Sequence, residues 1–113
     1  MKYLEKEIYD AIYEISDLNL QKKLWLNQNN DTGLISSYTE AMCSLFDDFH
    51  FDEFVDDASS VKKFDFSTIY ELNKLRDLLK KYDEKKSQEE IINDPEWRKV
   101  VDQAKVVIDK WNK

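Results

Sequence analysis

The stretch Asn93–Trp111, NDPEWRKVVDQAKVVIDKW, decides the fold. Asp94 offers a side-chain cap, and Pro95 takes the first helical position, where a missing N–H is no loss. Behind them Trp97, Val100, Val101, Ala104, Val107, Ile108 and Trp111 recur at spacings of three and four. That is one apolar stripe on a long helix, and it is the best periodicity in the chain. Moving outward, Ile69, Leu72, Leu75, Leu78 and Leu79 predict a second long helix from about Ser67 to Tyr82, with Ser67 or Thr68 as its cap. Leu4, Ile8, Ala11, Ile12 and Ile15 predict a third, from about Lys2 to Asp17, with Tyr3, Tyr9 and Tyr13 on its flanks.

Shorter pieces join these three. Leu18–Leu26 reads as a short helix presenting Leu20, Leu24 and Trp25, and the polar run Asn27–Gly33 reads as a loop. Ser37-Tyr-Thr-Glu40 matches a capping box that opens a helix burying Ala41, Met42, Leu45 and Phe46 and ending near Asp48. His50–Asp57 follows as a helical turn with Phe51, Phe54 and Val55 directed inward. Val61–Phe66 alternates apolar and polar residues and reads as an extended connector. Asp83–Glu90 is a charged link in which Ser87 starts a short turn carrying Ile91 and Ile92.

With one Gly and one Pro in 113 residues, the chain lacks the turn residues a β-sandwich or barrel requires. Hydrophobic residues make up 42 %, enough for a core. The expectation is a single all-α domain spanning 1–113, a bundle of five to seven helices. A single Cys excludes an internal disulfide, and the charged start lacks the apolar run of a signal peptide. The expected location is cytoplasmic, and no apolar run approaches the length that spans a bilayer.

Charge is partitioned along the chain. From Leu24 to Val61 there is no Lys or Arg, and that segment carries eight acids: Asp31, Glu40, Asp47, Asp48, Asp52, Glu53, Asp56 and Asp57. The rest, holding all 17 basic residues, is close to neutral, so the net charge of −7 comes from this one segment. Six of its acids fall within Asp47–Asp57, threaded with Phe49, His50, Phe51 and Phe54. Asp31 lies in the loop and Glu40 has a capping duty, which leaves the Asp47–Asp57 cluster with no evident structural role. Packing like charges this closely costs stability, a cost that a cationic partner would offset.

The cluster is a poor catalytic apparatus. Cys43 and His50 are seven residues apart, and nothing in that spacing brings thiol and imidazole together; Cys43 reads as a buried packing residue and His50 as a boundary one. A calcium loop wants acids at alternate positions and a Gly at the sharp turn, whereas Phe49, His50 and Phe51 occupy that interior. No second His or Cys completes a zinc set. Lys62/Lys63, Lys80/Lys81 and Lys85/Lys86 are hemmed in by acids, which argues against direct nucleic-acid binding. No cofactor motif is present. The contact residues to expect are Asp47, Asp48, Asp52, Glu53, Asp56 and Asp57, with Phe49 and His50 as central anchors and Trp25, Tyr38, Phe51 and Phe54 as further aromatic candidates for core or interface.

The segment Ser36-Ser-Tyr-Thr-Glu-Ala-Met-Cys-Ser-Leu-Phe-Asp-Asp48 resembles stretches in small immunity proteins of bacterial contact-dependent growth inhibition and related polymorphic toxin systems. Ile92-Asn-Asp-Pro-Glu-Trp97, followed by Val100 and Ala104, is similar to the start of their C-terminal helix. The two cover about a quarter of the chain. The resemblance implies a non-enzymatic cytoplasmic protein that binds and blocks the toxic domain of its cognate effector, a domain that is often a tRNA- or DNA-cleaving nuclease and therefore basic. It carries over no individual contact residues. Three alternatives stay open: an acidic nucleic-acid mimic inhibiting another DNA- or RNA-binding enzyme, a metal-binding helical protein using the Asp47–Asp57 acids, and an adaptor with no toxin.

Overall fold

The computed structural model describes residues 4–58 and 64–112. Among them are seven α-helices and no strand: α1 (Glu5–Ser16), α2 (Leu18–Leu26), α3 (Tyr38–Cys43), α4 (Phe51–Asp57), α5 (Phe66–Lys81), α6 (Gln88–Ile92) and α7 (Pro95–Trp111), with a π-helical turn, Ser44–Asp48, after α3. The all-α expectation holds.

Helix α7 is the centre of the bundle because both of its sides are used. It lies along α1 on one side and α5 on the other. Trp97, Val101, Ala104 and Val107 are fully buried, as are Ile8, Ile12 and Ile15 of α1 and Leu72 and Leu75 of α5. The start is fixed as the sequence implies: the Asp94 side chain accepts from the Glu96 amide at 3.1 Å, with Pro95 in the first turn. The short elements close the ends, α2 against α6, and α3 with its π-helical turn against α1.

A polar staple joins three helices. Gln21 of α2 is completely buried, and its amide nitrogen donates to the carbonyls of Glu14 (3.0 Å) and Ile15 (2.8 Å). These carbonyls lie in the last turn of α1, where helix carbonyls run out of amide partners, and that of Glu14 otherwise meets only the cap amide of Asp17 at 3.4 Å. The Gln21 carbonyl accepts from Trp97 Nε1 at 2.8 Å. Around that indole lie Trp25, Tyr38 and Tyr82, with ring centroids 5.9, 5.6 and 5.0 Å from Trp97. A second aromatic group, Phe54, Phe64 and Trp111, ties α4 and the start of α5 to the end of α7.

Several boundaries differ from the sequence reading. Helix α1 begins at Glu5, and residues 1–3, Tyr3 included, lie outside the described residues. Helix α5 begins at Phe66, and its cap is Asp65, not Ser67 or Thr68: the Asp65 carboxylate accepts from the Thr68 amide (2.8 Å) and hydroxyl (2.7 Å). A carboxylate two residues upstream satisfies two donors at once, so it outcompetes a hydroxyl. The Val61–Phe66 connector is thus helical at its last residue, while 59–63 lie outside the described residues. Only half of the expected capping box at Ser37 forms. The Ser37 hydroxyl accepts from the Glu40 amide at 3.0 Å, but the Glu40 carboxylate does not return to the Ser37 amide; the neighbouring Tyr38 amide donates to Gln88 Oε1 of α6 at 2.7 Å.

The caps make stability depend on pH. The Tyr82 hydroxyl donates to Asp94 Oδ2 at 2.8 Å and, with the Glu96 amide and Lys85, holds that carboxyl below its ordinary value of 3.8. The Thr68 amide and hydroxyl do the same for Asp65. Both contributions are complete above the ordinary carboxyl pKa and are lost as pH falls through the lowered one. Burial pushes Tyr38 and Tyr82 up from 10.0, so their contribution is complete below pH 10 and is lost as pH rises beyond it. Unfolding temperature should be flat from about pH 5 to 9 and fall on either side. Asp94→Asn should blunt the acid fall; an unchanged acid limb would contradict this account.

Candidate functional site

The acidic segment folds into two helical pieces separated by a break. The Phe49 amide reaches back five residues to the Ser44 carbonyl at 2.9 Å, the π-helical pattern. The wider turn leaves both Asp47 and Asp48 at the surface. His50 then adopts a left-handed conformation (φ 54, ψ 50), which stops the helix. Its Nδ1 lies 3.2 Å from Glu53 Oε2, and α4 restarts with Asp52 and Glu53 in its first turn, where the helix dipole favours acids.

The six acids of the cluster are not equivalent. Asp52 and Asp56, four apart, face α5. Arg76 of α5 donates to Asp56 Oδ1 at 2.6 Å and to the Asp52 backbone carbonyl at 3.1 Å, and its other terminal nitrogen is held by Asn73. Lys80 Nζ lies 2.8 Å from Asp52 Oδ1, an ionic contact without hydrogen-bond alignment. Asp56 sits in the last turn of α4, where the dipole disfavours an acid, and Arg76 offsets that. Asp52 and Asp56 therefore do have a structural role, contrary to the sequence reading. Their partners lie twenty or more residues away, out of reach of any local pattern.

Arg76 is only 17 % exposed. Replacing it with Met keeps the apolar stem but removes the cation, and should cost about 1–2 kcal/mol, the lower end reflecting how exposed Asp56 is. Chemical unfolding of Arg76→Met measures this. Adding Asp52→Asn and Asp56→Asn should recover part of the loss, and no loss at all would rule the tether out.

Asp47, Asp48, Glu53 and Asp57 stay exposed. Glu53 and Asp57, four apart, form the outer edge of α4, and Asp47 and Asp48 make no ion pair among the described residues. Phe49 is half-buried against the core. It lines a shallow groove of about 250 Å³ with Glu7, Asp10 and Glu14 of α1 and Glu40 of α3. Glu14 is committed to Trp25 Nε1 (2.7 Å) and the Ser36 hydroxyl (3.1 Å), and Asp10 to Lys6 (2.9 Å). The α1 acids escape the sequence reading because residues 1–23 as a whole carry four Lys against five acids, although α1 itself holds four acids and only Lys6.

The chain matches no protein-family model, no curated protein and no solved structure.

The other aromatic and nucleophilic candidates resolve plainly. Phe51 is fully buried and Phe54 2 % exposed, so both are core, and the anchors Trp25 and Tyr38 are buried in the aromatic group around Trp97. Cys43 is exposed, contrary to the buried packing role read from sequence. Among the described residues no group of three His, Cys, Asp or Glu side chains is placed to hold a metal ion, which leaves the metal-binding alternative without a site there. No helix among them is long and apolar enough to cross a membrane.

Proposed function

We propose that the protein is a non-enzymatic, cytoplasmic immunity protein that binds a cognate toxin domain, a tRNA- or DNA-cleaving nuclease, and neutralises it by covering its basic substrate-binding surface. The observation that carries this reading is that Asp47, Asp48, Glu53 and Asp57 all stay exposed in a segment with no cation of its own, while Phe49 lines a groove walled by Glu7, Asp10, Glu14 and Glu40. A nuclease groove is built to hold polyanion, so an acidic face competes for it directly and excludes substrate. Electrostatic steering raises association rates by about 10–10³, and Phe49 supplies apolar area in a groove walled by acids. The resemblance of the Ser36–Asp48 and Ile92–Trp97 segments to immunity proteins supports the same reading.

The acidic-mimic alternative uses the same face and differs only in its target. A pull-down with the proteins encoded beside the chain separates them. Capture of an adjacent basic effector domain, with loss of its nuclease activity in the complex, is the expected result. Capture of a host restriction or repair enzyme instead would favour the mimic.

A further inference from the structure

A separate groove between α1, α2 and α7 shares no lining residue with the acidic face and encloses about 690 Å³, within the size range of small-molecule sites. Lys22 of α2 and Arg98 and Lys105 of α7 line it. None of the three makes an ion pair among the described residues. The two acids on its wall are already engaged. Asp17 caps α2 by accepting from the Leu20 amide at 3.1 Å, and Asp109 has an interaction of its own. The lining thus holds three cations against two acids, a net of +1 on a chain of net charge −7.

Arg98 and Lys105 are seven residues apart, so they share a helix face and stand about 10 Å apart along its axis. A chain of phosphates can meet both without either side chain folding back toward the other. The Tyr13 ring, 44 % exposed, lines the same groove and offers a flat surface for a base. The overall negative charge repels long nucleic acids, which favours a small ligand. We propose that this groove binds a nucleoside polyphosphate, its phosphates held by Arg98, Lys105 and Lys22 and its base stacked on Tyr13.

The test is a titration of the isotope-labelled full chain by NMR with ATP, tripolyphosphate and adenosine in parallel. Expected are saturable shifts at Lys22, Arg98, Lys105 and Tyr13, with ATP binding about tenfold tighter than tripolyphosphate because stacking adds to charge. Adenosine should bind more weakly than ATP. Arg98→Gln with Lys105→Gln should weaken ATP at least tenfold, and both positions are exposed, so the fold is kept. Glu53→Gln with Asp57→Asn should leave ATP binding unchanged, which keeps this site distinguishable from the acidic face. Absence of saturation in the millimolar range, equal binding of tripolyphosphate, or indifference to the Arg98 and Lys105 changes overturns the proposal.

Discussion

Replacing Trp97 with Ala should remove about 5 kcal/mol of stability. Truncating a fully buried Trp costs about 3–5 kcal/mol through lost burial and the cavity left behind. The Gln21 carbonyl also loses its 2.8 Å donor while still buried, which adds about 1–3 kcal/mol. A domain of this size has about 5–15 kcal/mol in total, so the variant should lie near the edge of folding at room temperature. Trp97→Phe keeps the aromatic packing but loses the N–H donor and part of the ring volume, so it should cost about 1–3 kcal/mol, less than the alanine variant. Urea unfolding of both variants separates the two contributions. A loss under about 2 kcal/mol for Trp97→Ala would mean that the aromatic group around this indole is not the keystone its geometry indicates.

Neutralising the outer acids, Asp47→Asn, Asp48→Asn, Glu53→Gln and Asp57→Asn together, should have the largest effect on binding and almost none on folding. The four side chains are exposed, and exposed charges contribute little to stability. Relieving like-charge repulsion between Glu53 and Asp57 gains only a few tenths of a kcal/mol. Against a basic partner, the same change removes four charges from the steering field, and association should slow about 10–100-fold at low salt. Asp52 and Asp56 are left intact because removing them would disturb the tether to Arg76 and Lys80 and confuse a folding defect with a binding one.

The contrast between these acids shows what the sequence carries and what it does not. Elements were legible wherever a cap and an apolar stripe coincide, as at Asp94–Pro95 before Trp97, Ser37 before Ala41 and Ser87 before Ile91. Competing caps blurred one boundary, where Asp65 displaced Ser67 and Thr68. Gln21 was invisible because a glutamine in a helix reads as surface, and only the close meeting of the α1 C-terminus with Trp97 makes it core. The sequence singled out the Asp47–Asp57 segment as the candidate site but did not resolve its acids from one another. Which of Asp47, Asp48, Asp52, Glu53, Asp56 and Asp57 are committed depends on α5 packing against α4, a tertiary fact. The π-helical turn adds one residue to the helix and changes which side chains face outward, something no 3.6-residue pattern encodes.

On the proposed function, the outer acids dock a basic nuclease domain. The direct measurement is the affinity of the purified chain for a basic effector domain captured in the pull-down, across a salt series, with wild type and the four-acid variant side by side. The account predicts that wild-type affinity falls steeply with salt and that the variant binds weakly with a flattened slope. Equal affinity and equal salt slope for the two proteins would contradict it.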